Sequence, residues 1–181
     1  MRVKGLIAAT ALIMTCTPAQ AQEGTSNPFT APDCEFTLDF PTKPATSDGA
    51  TIYAKRYNDG SLLNVRVHCN RLDKGTAHNY TADIMKSLLA SRAHANNINN
   101  FQTDSQDIQT TRQAVLLAQT AEGPYMSQMW AGESSLFTLE SNVTGPVPSD
   151  AQEALLFIVQ SVRPVDKNTA AEQQEEPAKD E

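Results

Sequence analysis

Histidine and cysteine are the residue types in this chain best suited to metal binding or nucleophilic chemistry, and both are scarce. The three histidines, His68, His78 and His94, form no His-Glu-x-x-His motif and no pair at helical spacing. A zinc site needs three or four converging nitrogen, sulfur or oxygen ligands. His68 and Cys69 are neighbours on a predicted strand, so their side chains point to opposite faces. We therefore expect no metal site and no cofactor.

Two short motifs favour packing or turn formation over chemistry. Met126-x-x-Met129-Trp130 contains thioethers, which favour Cu(I), but residues of opposite parity on a strand face away from each other. Gly132-Glu-Ser-Ser-Leu136 is similar to the Gly-x-Ser-x-Gly motif of hydrolases, yet it lacks the second glycine and falls between two predicted strands. We expect core packing for the methionines, a hairpin loop at 132–136 and no catalytic residue.

The first 21 residues have the three parts of a secretory signal peptide. Two basic residues precede an apolar stretch over residues 5–15, and Ala19-Gln-Ala21 provides small residues for cleavage. A membrane span takes about 20 apolar residues, so this stretch predicts no transmembrane anchor. An acylated Cys16 is the alternative, although Ile-Met-Thr before it is a poor lipobox. We predict cleavage after Ala21 and a periplasmic or secreted protein.

The cysteines left after cleavage predict a disulfide. Export places the chain in an oxidising compartment, where disulfides form and persist. The mature chain has two cysteines, Cys34 and Cys69. By the chain-entropy model, a bond between them stabilises the fold by about 4 kcal/mol at most.

Charge and composition set the domain organisation. The formal net charge is −7 at pH 7, and cleavage removes two basic residues and no acid, which disfavours nucleic-acid binding further. The C-terminal residues are rich in acids and contain no large aliphatic side chain after Val165, so they cannot bury enough apolar area to become ordered. We predict a flexible N-terminal segment (22–33), one domain (34–163) and a disordered acidic tail (164–181).

Alternation of apolar and polar residues predicts three strands in the first half of the domain. Residues 34–40 alternate strictly, and residues 51–57 and 62–70 flank an Asn-Asp-Gly-Ser turn. If Tyr57 faces Leu62, Ile52 and Ala54 lie on the core side of this hairpin. With Cys34 opposite Cys69, the first strand also pairs with residues 62–70 and adds its apolar face to that side.

Two helices and four more strands complete the predicted order. Apolar residues at helical spacing predict a helix over 80–95, with Asn79 or Thr81 as its N-cap. Four strands follow this helix. They are a weak strand near 108–111, a strand at 115–120 with a run buried on both faces, and a hairpin of 125–130 with 136–143. The last helix, about 150–162, has Ser149 and Gln152 at capping-box spacing. The predicted fold class is α+β, a mainly antiparallel sheet with two helices packed on it.

Two apolar motifs mark the ends of the domain, Phe36-x-Leu-x-Phe-Pro41-x-x-Pro44 and Ala154-x-x-Phe157-x-x-x-Ser161-Val162. Together with the hairpin, the middle helix and the run of strands between them, this pattern resembles small exported bacterial proteins with the PsbP-like α/β/α sandwich. The resemblance covers most of residues 34–163. That fold includes accessory subunits of photosystem II and a Ran-binding regulator, so the resemblance implies binding or assembly more than catalysis. It carries over no functional residue.

In the predicted hairpin register, four side chains share the face away from the core: Tyr53, Lys55, Arg66 and His68. One interpretation is a solvated or helix-covered strand face, in which Tyr53 and Arg66 form a cation–π pair worth about 0.5–1 kcal/mol. The other is a binding site for an acidic partner, centred on Arg66 and Tyr53. Binding would then strengthen as His68 gains charge below roughly pH 6.5.

These patterns together predict a non-enzymatic periplasmic protein that binds another cell-envelope protein or helps to assemble a complex. A small-ligand or metal-binding module is the first alternative, and a divergent hydrolase is the second. An enclosed pocket with converging polar groups favours a ligand, whereas an open apolar patch favours a protein partner.

Overall fold

The computed structural model describes residues 26–73, 75–108 and 110–165. The predicted signal peptide (1–21) and residues 166–181 of the predicted tail lie outside these ranges. In the described part of the chain, no helix is long and apolar enough to cross a membrane. The helices are α1 (Ala82–Ala95) and α2 (Ser149–Gln160), with a short 3-10 turn at Ala77–Asn79. The strands are β1 (Asn27–Pro28), β2 (Phe36–Thr37), β3 (Asp39–Phe40), β4 (Ala45–Ser47), β5 (Ala50–Arg56), β6 (Leu62–Arg71), β7 (Phe101–Ile108), β8 (Thr111–Gln119), β9 (Pro124–Ala131), β10 (Ser135–Thr144) and β11 (Arg163–Pro164).

Seven of these strands form one antiparallel sheet in the order β4-β5-β6-β10-β9-β8-β7. The predicted hairpin of β9 and β10 is present, and β10 also pairs with β6 along its whole length. The other strands form two short antiparallel pairs, β1 with β3 and β2 with β11. The predicted α+β fold with a mainly antiparallel sheet is confirmed.

A layer covers each face of the sheet, and the two layers cover different halves. On one face α1 packs on β7, β8 and β9, where Met85 and Leu89 join Leu116 and Met129 in one core. On the other face α2 and the segment from β1 to β3 pack over β5, β6 and β10, around Phe137. The α/β/α sandwich that the resemblance implied is confirmed. Because the layers are staggered, the α1 face of β5 and β6 stays largely open to solvent.

Helix α1 begins and ends as its sequence predicts. The Thr81 hydroxyl accepts a hydrogen bond from the backbone N–H of Ile84 at 3.2 Å, which satisfies one free donor of the first turn. At the other end Asn97 adopts a left-handed conformation with φ of 59°. Met85 and Leu89 are buried, but Ile84 and Leu88 are 46% and 44% exposed. The apolar face of α1 is therefore wider than the core beneath it.

The β5–β6 hairpin is present, but its register differs by one residue from the predicted one. Leu62 pairs with Arg56 and not with Tyr57, so Tyr53 faces Val65. Five residues instead of four lie between the first paired positions, because the Tyr57 N–H donates to the Ser61 carbonyl and closes a wider turn. The shift moves every β5 side chain to the face opposite to the predicted one.

The new register places Tyr53 in the core. Tyr53 is 2% exposed and stacks on Phe40, with 5.8 Å between the ring centroids. Ile52 and Ala54, which the predicted register placed in the core, lie on the opposite face beside Arg66 and Asn64. Burial of the Tyr53 ring removes a large apolar area from water, which favours the observed register.

Residues 34–40 have the predicted apolar face but not the predicted partner strand. Their apolar side chains are almost fully buried: Phe36, Leu38 and Phe40. Both edges of β6 are occupied, by β5 and by β10, so the segment crosses over the sheet as β2 and β3 instead of joining it. The predicted disulfide between Cys34 and Cys69 is present, with 6.0 Å between the Cα atoms. The disulfide ties the segment from β1 to β3 to the end of β6.

The packed unit extends beyond the predicted boundaries at residues 34 and 163. Phe29 belongs to the segment predicted to be flexible, yet it is 5% exposed and meets the Phe137 ring edge to face. At the other end, Arg163–Pro164 pair with Phe36–Thr37. Both ends of the described chain therefore pack on the domain.

Three local expectations are wrong. A weak strand is predicted near residues 108–111, but β7 covers Phe101–Ile108 and pairs along its whole length with β8, which begins at Thr111. Leu117 is 50% exposed, so residues 115–118 are not buried on both faces. The N-cap of α2 is Pro148, and no side chain caps this helix, so the capping box of Ser149 and Gln152 does not form. An edge strand with one face in solvent needs few apolar residues, which explains why the pattern of β7 is weak.

Candidate functional site

A trough lies where the open part of the sheet meets α1. It is lined by Arg66, His68 and Asn70 of β6, Thr138 and Glu140 of β10, and Arg92 and Asn96 of α1 and its end. Its volume is about 460 Å³. We call this surface the cationic trough, because two guanidinium groups face one carboxylate in it.

Strand alternation positions the floor of the cationic trough. On β6 the odd-numbered residues, such as Val65 and Val67, are buried under the α2 layer, so the even-numbered residues point to the α1 side. The same alternation on β10 buries Leu139 and turns Glu140 to the α1 side. Glu140 is paired with Arg66 in the ladder. The floor is therefore polar, because the apolar residues of both strands point to the other face of the sheet and form the core there.

Helix α1 supplies the wall of the trough. The Arg92 guanidinium forms an ion pair with the Glu140 carboxylate across the gap between α1 and β10. Leu88 and Ile84 lie one and two turns earlier, on the same side of the helix as Arg92. Leu88 and Ile84 are each more than two-fifths exposed. An apolar ridge therefore borders the charged trough.

The charge balance of the trough is positive, against the sign of the whole chain. In the described residues Arg92 has the Glu140 carboxylate as its partner, whereas Arg66 forms no ion pair. The chain carries a net charge of −7. Arg66 therefore leaves a positive potential at the surface, which suits an anionic group.

His68 is held in its neutral form. Burial lowers the pKa of the imidazole below its usual range, and the neighbouring Arg66 lowers it further. The carboxylate of Glu140 acts in the opposite direction, and Arg92 lowers the pKa of His68 as well. At pH 7 His68 is thus a neutral hydrogen-bonding group in the floor of the trough.

The structure separates the four side chains that the sequence placed on one face. Arg66 and His68 lie together in the cationic trough. Tyr53 is buried on the opposite face, and the Nζ atom of Lys55 on that face lies over the Tyr57 ring at 4.9 Å. The predicted common face and the Tyr53–Arg66 cation–π pair are wrong, because the register differs by one residue. A binding role for Arg66 and His68 stays a prediction.

Sequence reasoning missed the contributions of Arg92, Glu140 and Asn96 to this site. They come from α1 and β10, which are distant in sequence from β6. One signal was available, since Thr138, Glu140 and Asn142 are the polar members of an alternating strand. Their alternation predicts a polar face on β10, but nothing in it predicts that β6 lies alongside.

The other motifs have the structural roles that their patterns indicate. Met129 packs in the α1 core and Met126 against the core on the other face, so their sulfur atoms do not converge. Gly132 begins the β9–β10 turn, where its N–H donates to the Ser135 carbonyl at 3.0 Å. Within residues 26–73, 75–108 and 110–165, no three His, Cys, Asp or Glu side chains are grouped to hold a metal ion.

The chain is similar in backbone arrangement to two solved structures. The solution structure of cyanobacterial PsbP (CyanoP) from Synechocystis sp. PCC 6803 aligns with a TM-score of 0.48 and 11% sequence identity, covering 84% of this chain and 99% of that one. A crystal structure from Bacteroides thetaiotaomicron VPI-5482 aligns with a TM-score of 0.38 and 15% identity, covering 78% of this chain and 49% of that one. No protein-family model and no curated protein sequence matches the chain. Similarity at this level carries no information about function.

Proposed function

We propose that this protein is a non-enzymatic binding or assembly protein of the cell envelope, and that it docks an acidic segment of another envelope protein in the cationic trough. The observation that carries the proposal is the exposed Arg66 guanidinium in a polar trough on an otherwise acidic chain. The predicted signal peptide supports an envelope location. The disulfide agrees with an oxidising compartment.

The shape of the trough favours a macromolecular partner. Small-molecule sites are concave, largely apolar and bury most of the ligand surface. The cationic trough is instead an open sheet face with a helix along one side, and its lining is polar. An extended or convex surface of a partner protein can reach both the sheet and the helix. The site therefore suits an acidic protein segment better than an enclosed ligand.

The ridge of Ile84 and Leu88 gives such a partner something to bury. Protein interfaces combine an apolar centre with a polar rim, and arginine is enriched at their energetic hot spots. Here the exposed apolar pair and Arg66 lie on neighbouring surfaces, with Arg92 between them in the wall. Carboxylates of the partner would approach Arg66, while its apolar side chains would contact the ridge.

The test is capture of envelope proteins on the immobilised full-length mature protein, with Arg66→Glu as the charge-reversed variant. The control is Arg71→Glu, because Arg71 is an exposed arginine of the same strand on the opposite face, where its partner is the exposed Asp33. Each captured protein is identified and its binding is measured again with purified components. The proposal requires a partner that wild type and Arg71→Glu bind and Arg66→Glu does not, with affinity that falls as salt rises.

Two results would refute the proposal. One is a set of partners that Arg66→Glu binds as tightly as the wild type does. The other is loss of binding in Arg71→Glu to the same extent as in Arg66→Glu, which would indicate a nonspecific effect of net charge. Circular dichroism and thermal melts must first show that all three proteins are equally folded.

A further inference from the structure

A second and larger cavity lies beyond the C-terminal end of α1, and it meets the cationic trough at Asn96. Its volume is about 580 Å³, within the usual range for ligand sites. Six side-chain amides line it: Asn96, Asn97, Asn99, Asn100, Gln119 and Asn142. Thr120, Glu122 and Tyr125 complete its polar lining. We call this cavity the amide groove.

Most of these amides have no evident role in holding the fold. Asn97, the neighbour of Asn96, ends α1 in a left-handed conformation and so has a structural task. In contrast, the hydrogen bonds that Asn99, Gln119 and Asn142 donate are long, at 3.4 to 3.5 Å. A side-chain amide has two donor hydrogens and one acceptor oxygen, so one long hydrogen bond leaves most of its hydrogen-bonding capacity open to a ligand.

The lining indicates a ligand without charge. Glu122 supplies a carboxylate to the lining, and Glu140 lies two residues before Asn142 on β10. An anion in the groove would therefore meet carboxylates. The arginines of the neighbouring trough line that cavity and not this one. A cation would need several oxygen ligands, and the residues grouped here are mainly neutral amides.

Tyr125 adds an aromatic surface to the groove. One part of its side chain packs against the α1 core, and the remainder lines the cavity. Tyrosine combines an apolar ring with a hydroxyl that both donates and accepts. Such a ring can contact the C–H groups of a ligand whose hydroxyls bind the amides.

We infer that the amide groove binds a neutral oligosaccharide. Sugar hydroxyls donate and accept from the same oxygen, which matches a lining of amides that do both, and sugar C–H faces match the Tyr125 ring. The cavity volume of about 580 Å³ is larger than one sugar ring, which favours two or more linked sugars. The amide groove is a separate site from the cationic trough. Sugar binding in the groove and protein docking in the trough do not depend on each other.

The test is an NMR titration of the 15N-labelled mature protein with four neutral disaccharides: maltose, cellobiose, lactose and N,N′-diacetylchitobiose. The side-chain NH₂ resonances of Asn99, Asn100 and Asn142 report on the groove directly. We expect at least one disaccharide to shift them with a Kd on the order of 1 mM. Asn142→Ala and Gln119→Ala should each weaken binding about fivefold, the effect of one lost hydrogen bond.

Controls separate this outcome from its rivals. Gln102→Ala removes an exposed amide of β7 outside the groove and should leave the affinity unchanged. Glucuronate and Ca²⁺ test for an anion site and a cation site. The inference is overturned if no neutral disaccharide shifts the groove resonances, if Asn142→Ala binds like the wild type, or if glucuronate or Ca²⁺ binds there more tightly than every disaccharide does.

Discussion

Glu35 is bound to Ser134, a residue 99 positions later in the chain, whose backbone N–H donates to the Oε2 atom at 2.7 Å. The next N–H, that of Ser135, donates to the same oxygen at 3.0 Å. The carboxylate thus holds the turn between β9 and β10 against the segment that precedes β2. It does for this turn what a capping side chain does for a helix.

Replacing Glu35 should loosen this junction. Glu35→Ala leaves two backbone N–H groups without their charged acceptor, and we expect a loss of about 2 kcal/mol in the free energy of unfolding. Urea denaturation measures it. Glu133→Ala, which removes an exposed carboxylate of the same turn, is the control and should change stability by less than about 0.5 kcal/mol. Equal losses in both variants would contradict a specific role for Glu35.

Gly132 is needed because Glu35 occupies the space where a side chain would be. A Cβ atom at residue 132 would overlap the Glu35 carboxylate and lie 3.4 Å from the Phe36 ring. We expect Gly132→Ala to destabilise the protein by about 1–3 kcal/mol. In a Glu35→Ala background the same change should cost less than half as much, because the clashing group is gone. Purely additive effects in this double-mutant cycle would rule out the clash.

The disulfide should contribute through the layer that it tethers. Cys34 and Cys69 are 35 residues apart in sequence, and the bond joins the segment over the sheet to the end of β6. Cys34→Ala/Cys69→Ala should lose about 2–4 kcal/mol of unfolding free energy, mainly because the unfolded chain regains freedom. Reductant should destabilise the wild type to the same level and leave the double variant unchanged. A variant as stable as the oxidised wild type would contradict this account.

The sequence predicts the faces of strands better than their partners. Leu63, Val65 and Val67 alternate with polar residues, so the core face of β6 follows from its pattern. In β5 the apolar residues Ile52 and Tyr53 are adjacent, and alternation alone does not decide which of them faces inward. Contact with Phe40, a residue outside the hairpin, decides it.

The candidate site was only half predictable for the same reason. Arg66 and His68 share a face because they are two residues apart on one strand, and the structure keeps them together. The predicted hairpin register placed Tyr53 and Lys55 on the same face as these two residues. The observed register differs by one residue, which moves both side chains to the other face. Arg92 and Glu140 enter through the packing of α1 beside β10, which local patterns do not encode.

Tyr57 provides a test of the α2 layer at high pH. Burial raises the pKa of Tyr57 to about 12, and the neighbouring Tyr53 and Asp150 raise it as well. The native state therefore keeps this proton where the unfolded chain, with a tyrosine pKa near 10, has lost it. Stability should fall as pH rises from about 10 to 12. Tyr57→Phe should lack the phenolate absorbance step near pH 12 and lose less stability in that window, whereas a wild-type step near pH 10 for this residue would contradict the prediction.

His68 provides the corresponding test of the cationic trough at low pH. Burial first, and Arg66 second, lower the pKa of this imidazole in the folded protein, so the unfolded chain takes up the proton more readily. The contribution of neutral His68 to stability is complete above the unfolded value of about 6.5 and is lost as pH falls through the lower folded value. An NMR titration should place the His68 midpoint below about 6.5. Arg66→Ala should raise that midpoint by removing a positive neighbour, whereas Arg71→Ala, on the opposite face of β6, should leave it in place. The same midpoint in Arg66→Ala would show that Arg66 does not act on His68. A midpoint at or above the unfolded value would show that His68 is not shielded in the trough, and it would restore the expectation that mild acid charges His68 and strengthens binding of an acidic partner.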